Sequence, residues 1–306
     1  MKIRNKTIYK HLLPLYFTGE EKLLGLLPDD LFLKAKYRIG YHRNPDLRNP
    51  SLYSEKLQWY KLYYRPEILH VLADKISARK YAAERIGADN TIPVIGVWDD
   101  PESIRIDTLP EKFVLKCNHD SGSAIICKSK NDFDFRYAKD LLKIRLRRNY
   151  YIHNREWAYK DIKPEILAEP YLEDSEGRPP KEYKVFCFDG HAEWIAFCSG
   201  TAHSDDRTKD LYDRDLNLLK IRMSHPNSKE PLQKISCPPE IIRYAESLAQ
   251  DLPHVRADFY AVDEKIYFGE LTFYPDGGFV HFSPPEWDKI FGNRLRLPYP
   301  LSGINK

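Results

Sequence analysis

Residues 254–279 read HVRADFYAVDEKIYFGELTFYPDGGF. Two apolar, β-prone runs, Val255–Val262 and Ile266–Phe273, flank the turn residues Asp263-Glu-Lys265, a pattern that predicts a β-hairpin. If the strands pair symmetrically about Glu264, Asp258 faces Glu270 and Arg256 faces Thr272. Opposed residues of a hairpin share one face, so these four polar side chains converge. Ala257, Phe259, Ala261, Tyr267, Leu271 and Phe273 are then expected on the other face, toward a core. Two facing carboxylates repel unless a positive charge lies between them. Mg²⁺ meets that need, because it takes oxygen ligands and shares them with substrate phosphates. A polar face on which Arg256 pairs both acids is the alternative.

Two further features accompany the hairpin. Phe113–Cys117 carries Lys116 on a strand, followed by the turn-rich loop Asn118-His-Asp-Ser-Gly-Ser123, a return strand Ala124–Lys128 and hence Lys128. Asp120, Ser121, Gly122 and Ser123 make a small, polar loop that suits an anion, and Lys116 would neutralise it. A plain hairpin turn accounts for the same residues, and no Walker A pattern is present. The run ILAEPYLED (166–174) is expected to be a strand that ends with a free edge able to meet an adenine, where Glu169 could take the exocyclic amine and Glu182 the ribose hydroxyls; a plain surface acid at Glu169 is the alternative.

The remainder predicts an α+β chain. Residues up to about 92 are helical and aromatic, with Ile68, Val71, Leu72, Ile76, Tyr81, Ala82 and Ile86 at helical spacing. Short strands follow, and Asp189-Gly190 marks a second hairpin. The chain has 306 residues, with 48 basic and 45 acidic side chains and a net charge of +3, which argues against a nucleic-acid coat. Its 14 Phe, 5 Trp and 21 Tyr demand burial and exclude low-complexity disorder. The longest apolar run, Leu23–Leu27, is far short of a bilayer span, and MKIRNKTIYKHLLPLYF lacks a secretory pattern. Five cysteines without C-x-x-C spacing suggest reduced thiols and a cytoplasmic setting.

Taken in order, these features resemble the ATP-grasp superfamily, and within it the TupA-like (teichuronopeptide biosynthesis) branch. The resemblance rests on SEKLQWYKLYY (54–64), ADKISARKYAAERIG (73–87), IPVIGVW (92–98), KFVLKCNHDSGS (112–123), the stretch from Arg148 to Asp174, EYKVFCFDG (182–190) and the hairpin itself. It implies two α+β subdomains that clamp ATP, at 93–172 and 173–306, behind a helical region at 1–92. It also implies ATP and Mg²⁺ as cofactors. Lys116, the loop Asp120–Ser123, Lys128 and Lys75 would then meet the nucleotide, with Glu169, Tyr171 and Leu172 at the adenine and Glu182 at the ribose. Asp258, Glu270 and Thr272 would hold magnesium, and Thr272 stands where many ATP-grasp ligases carry Asn. Arg256 and Lys184 would be catalytic, and Pro275–Gly278 would lie beside the acceptor.

The activity so implied is a carboxylate–amine ligase working through an acyl phosphate, in surface-polysaccharide assembly. Its partners would be a small or saccharide carboxylate substrate, an amine acceptor and other assembly enzymes. The basic, aromatic run RLRRNYYIHNREWAYK, with Arg145, Arg147, Arg148 and Arg155, suits an anionic sugar, although core packing explains it equally. Two rivals stay open: a phosphotransferase acting on a hydroxyl, and a glycosyltransferase using Asp205-Asp206 or Asp213 and Asp215.

Overall fold

Aromatic burial drives the N-terminal helices. The structure, a computed structural model, describes residues 19, 23–200, 207–233, 235 and 237–298. The helix Asp29–Tyr41 opens with two acids in its first turn, where the helix dipole favours them, and buries Phe32, Leu33 and Tyr37. Tyr53–Tyr63 is held at its start by Glu55, whose carboxylate accepts the amides of Ser51 and Leu52 at 3.2 Å. The expected long helix after it is two helices, Ile68–Ala73 and Ser77–Ile86, broken at Asp74. The Asp74 carboxylate accepts from the amides of Ile76 and Ser77 and so starts the second helix. The break lets the first helix turn independently. Leu69 and Leu72 face the core there, whereas Ile68 and Val71 are 45% and 44% exposed, contrary to the spacing argument.

Two antiparallel sheets follow. The smaller joins β1 (Gly96–Trp98), β4 (Ile166–Pro170), β2 (Phe113–Cys117) and β3 (Ile125–Cys127) in that order. Alternation along β2 sends Phe113, Leu115 and Cys117 into a core with Leu142 of the helix Phe135–Leu146, and turns Lys116 to the opposite face. The larger sheet runs β10, β9, β5, β6, β7: Lys265–Thr272, His254–Val262, Lys181–Phe188, His191–Ser199 and Thr208–Asp213. Helix Pro239–Ala249 covers its apolar face with Ile241, Ala245 and Leu248. The helices between Tyr53 and Ile86 share this same core. Phe291, on the helix Glu286–Arg294, stacks on Trp194 at 3.8 Å. Arg222–Met223 (β8) pairs with Phe282–Ser283 (β11). All five cysteines are buried and free. Among the described residues, no helix is long and apolar enough to cross a membrane.

The decisive hairpin forms, but not symmetrically about Glu264. Lys265 pairs with Val262, so only Asp263 and Glu264 make the turn, with Asp263 at φ 51°. That register alone would set Glu270 out of step with Asp258. A bulge at Gly269 shifts it by one residue, and beyond the bulge Glu270 pairs with Asp258 and Thr272 with Arg256. The bulge also reverses the expected facing of Tyr267, which pairs with Tyr260, and puts Ile266 and Phe268 in the core instead. Glycine is needed at the bulge because a Cβ there would lie 3.1 Å from both the Asp258 carbonyl oxygen and the Tyr260 ring. Gly269→Val is expected to lower the unfolding free energy by about 1–3 kcal/mol, measured by urea denaturation.

Candidate active site: a cation-lined cleft between the sheets

Three neighbouring strands place one row of charges. Lys184 on β5 pairs across to Asp258 on β9, which pairs across to Glu270 on β10. All three side chains therefore stand on the sheet face opposite the apolar core. Lys184 and Glu270 form one wall of a cleft of about 450 Å³ whose other side carries Lys116, Lys75 and the loop Ser121–Ser123, whereas Asp258 and Thr272 do not line it, Asp258 being buried behind Arg256 and Lys184. Six cations line the cleft (Lys75, Lys116, Lys184, Arg207, Lys209, Arg256) against three carboxylates (Glu182, Glu270, Asp276). The excess is positive, as an anionic ligand requires.

Asp258 is buried and occupied. Arg256 grips it with Nε and Nη2 at 2.7 Å each, and Lys184 donates to the same carboxylate. Burial would raise the Asp258 carboxyl, but these two cations outweigh it and hold it below the usual carboxylate range. Burial likewise opposes charge on Arg256 and Lys184, and the acids more than offset it, keeping both firmly protonated. Glu182 takes Lys184 at 2.6 Å and Arg207 at 2.5 Å, which hold it ionised despite its burial. Glu270 differs. Its side chain is 34% exposed to the cleft, with Lys75 at 3.8 Å and Arg256 at 4.0 Å.

Of the expected magnesium donors only Glu270 has oxygens turned to the cleft without a hydrogen bond; both Asp258 oxygens are taken by Arg256 and Lys184. Among the described residues, no group of three or more His, Cys, Asp and Glu side chains is placed as a metal cage. Magnesium commonly needs only one or two carboxylates beside phosphate and water oxygens. Glu270 offers unoccupied oxygens, Asp258 stands opposite it, and the Thr272 hydroxyl lies 3.1 Å from Arg256 Nη2.

On the facing side, Lys116 meets Glu169 at 2.7 Å, and Arg79 pairs the same carboxylate. Burial, together with the cations Arg79 and Lys75, lowers the proton affinity of the Lys116 ammonium, and an anion beside it would raise that affinity. Lys75 sits at the joint between two helices and donates to the backbone carbonyl of Asp120. The Asp120 side chain is fully buried, away from the cleft, with Arg145 at 3.5 Å. Ser123 Oγ accepts the amide of Cys117 at 2.9 Å, which fixes the loop.

The cleft therefore gathers Lys75, Lys116, Ser121, Gly122, Ser123, Glu182, Lys184, Arg256 and Glu270. Lys128 lies over the Tyr171 ring at 5.3 Å, and neither residue, nor Leu172, lines it. β4 lies between β1 and β2, but β1 pairs it only as far as Ala168, so from Glu169 onward that side of the strand end has no strand beside it, while the Glu169 side chain is buried in its ion pairs. The basic, aromatic run is core at its Arg155 end, whereas Arg147 is exposed and Arg148 half-buried. Arg155 is 1% exposed, bonded to the carbonyls of Leu24, Leu27 and Ile152, and Tyr151 and Tyr159 are buried with it. Asp213 caps its own turn through Asn217, and Asp205-Asp206 lie outside the described residues. Sequence reasoning missed Arg79, Arg207, Lys209 and His225. Thr208–Asp213 is a strand although four of its six residues are polar, so no polar–apolar alternation marks Lys209 in the sequence.

A lysine-bearing loop over one sheet, opposed to paired acids on a second sheet, defines a nucleotide clamp of the ATP-grasp class. Residues 55–296 match the family model described as TupA-like ATPgrasp. The chain belongs to that family. No curated protein matches it. Among solved structures, it is similar to D-alanine–D-alanine ligase from Bacillus anthracis complexed with ATP, at 17% identity over 66% of this chain and 55% of that one, with a TM-score of 0.38. The enzyme of the same name from Helicobacter pylori is 16% identical over 75% and 60%, with a TM-score of 0.40. The ATP-grasp ligase PsnB with its minimal precursor is 11% identical over 71% and 59%, with a TM-score of 0.41. The chain thus spans 55–60% of the length of these three structures.

Proposed function

We propose that this chain is an ATP-dependent carboxylate–amine ligase that forms an amide on a sugar acid during surface-polysaccharide assembly in the cytoplasm, beside other enzymes of that assembly. The observation that carries the ligase reading is the cleft itself: phosphate-suited cations on one wall and an acid pair with Arg256 on the other. ATP would lie with its phosphates against Lys116, Lys75 and the backbone of Ser121–Ser123. Magnesium, held by Asp258 and Glu270 with Thr272 beside them, would offset charge on the β- and γ-phosphates. A substrate carboxylate oxygen attacks the γ-phosphorus, the bond to ADP breaks, and an acyl phosphate results. The amine nitrogen then attacks the acyl carbon, the C–O bond to phosphate breaks with its electron pair, and two protons leave the nitrogen in all. Arg256 and Lys184 would supply the cations that a tetrahedral oxyanion needs. No protein nucleophile is needed, and the five thiols are buried.

Hydroxylamine intercepts acyl phosphates, so incubation with ATP, Mg²⁺ and candidate sugar acids is expected to yield a hydroxamate together with ADP. A stable phosphoester instead would make the enzyme a phosphotransferase. Release of UDP from a nucleotide sugar without ATP would make it a glycosyltransferase.

A further inference from the structure

The helix Phe135–Leu146 packs on the face of the small sheet that points away from the cleft, and it concentrates charge. Residues 135–148 carry six cations (Arg136, Lys139, Lys143, Arg145, Arg147 and Arg148) against one carboxylate, Asp140, whereas the whole chain nets only +3. Outside this segment the chain is therefore slightly acidic. Asp134 stays at the far end, where its carboxylate caps the helix by accepting the Tyr137 amide at 2.9 Å.

The cations divide between two sides of the helix. Ala138 and Leu142 are buried against the sheet, and Arg145 reaches inward to Asp120 of the phosphate loop at 3.5 Å. The Arg148 carbonyl lies 3.3 Å from His119 Nε2, so the helix ends against that same loop. Arg136, Lys139, Lys143 and Arg147 follow one another at three- and four-residue steps, which sets them along one flank. Arg136, Lys143 and Arg147 are exposed, and among the described residues their side chains have no ion pair or hydrogen bond. Lys139 meets Glu102 at 3.3 Å, a surface pair that a competing anion can replace.

Four cations at about one per helical turn make a straight positive edge about 16 Å long that ends at the phosphate loop. Like charges so arranged repel one another, and their complement is a row of anions of the same form. A single carboxylate or phosphate would meet one or two of them, whereas a polymer with a carboxylate on each unit meets all four. Resting on the ligase reading above, we propose that this flank holds a linear acidic polysaccharide. The sugar acid that the enzyme amidates is then a unit of that polymer, led along the helix to the rim of the cleft. No large exposed apolar side chain of the described residues lies on this helix, so nothing on it would insert into a lipid surface. The flank also lacks an aromatic side chain on which bases would stack.

Calorimetric titration of the full chain with polygalacturonate at low salt tests the surface without calling on the ligase chemistry. The polymer is expected to bind, and to bind at least tenfold more tightly than its methyl ester or monomeric galacturonate. Raising the salt is expected to weaken it steeply, because the cations are exposed. Arg136→Gln, Lys143→Gln and Arg147→Gln together are expected to weaken polymer binding at least tenfold at an unchanged thermal unfolding midpoint. Equal affinity for the methyl ester, or full affinity in the triple variant, would overturn the inference. So would tighter binding of single-stranded DNA, or of phosphatidylglycerol vesicles, than of polygalacturonate. No polymer binding by a protein that forms hydroxamate would overturn it too, and leave the ligase reading standing. Polymer binding without hydroxamate from any sugar acid would instead sink the ligase reading and, with it, the polymer's role as substrate.

Discussion

Asp258→Asn and Glu270→Gln are expected to lower ATP turnover alike, by about 10²–10³-fold, and to differ sharply in stability. The shared loss follows from their shared place as facing oxygen donors. The difference follows from what each now holds. Asp258 is 2% exposed and takes Arg256 through two 2.7 Å bonds as well as Lys184. Its loss leaves buried Arg256 without its close anion and Lys184 with Glu182 alone, at a cost of about 3–5 kcal/mol. Glu270 is 34% exposed, and its nearest cations are at 3.8 and 4.0 Å, too loose for a hydrogen bond. Its amide is expected to cost under about 1 kcal/mol. Denaturant titration beside an ADP-release assay separates the two effects. If both variants keep wild-type turnover, the acid pair does not hold the metal.

The second expected result concerns Lys116 and Arg79, which share Glu169. Lys116 lines the cleft, whereas Arg79 lies behind it, with Nη1 donating to the Lys75 carbonyl at 2.8 Å. Lys116→Met removes a charge-assisted phosphate contact, so nucleotide affinity is expected to fall by about 10–100-fold. Glu169 keeps Arg79, and the fold is expected to persist. Arg79→Met strips the buried carboxylate of its buried guanidinium and is expected to cost about 3–5 kcal/mol in stability. Thermal unfolding and nucleotide titration of the two variants should therefore give opposite patterns. Equal loss of nucleotide affinity at unchanged stability would place both cations at the phosphates.

The opposed acids were legible because carboxylates alternating with apolar residues in a hairpin have few places to go. Their register was right through two departures that offset each other, a shorter turn and a bulge. Gly269, a lone glycine inside a strand, is the sequence mark of the second. Lys116 and the Ser121–Ser123 loop were legible for the same local reason, a strand ending in small turn residues. Partners distant in the chain were not. The ion pairs of Glu169 are not visible in its own strand, because Arg79 lies 90 residues earlier in the sequence. Arg155 misled in the opposite sense. Charge and neighbouring aromatics suggest a surface, but its long side chain reaches back to the carbonyls of Leu24 and Leu27 and satisfies them in the interior. Lys209 was hidden because its strand, Thr208–Asp213, has four polar residues in six and so lacks the apolar pattern of a strand.

The central claim is that the cleft between the two sheets binds a magnesium nucleotide through Lys116 on one side and Asp258 and Glu270 on the other. Calorimetric titration with AMPPNP, in the presence of Mg²⁺ and then of EDTA, tests it most directly. One-to-one binding that weakens at least tenfold without magnesium, and that loses this magnesium dependence in Glu270→Gln, is the expected result. No binding by the wild-type protein, or binding indifferent to magnesium, would contradict it.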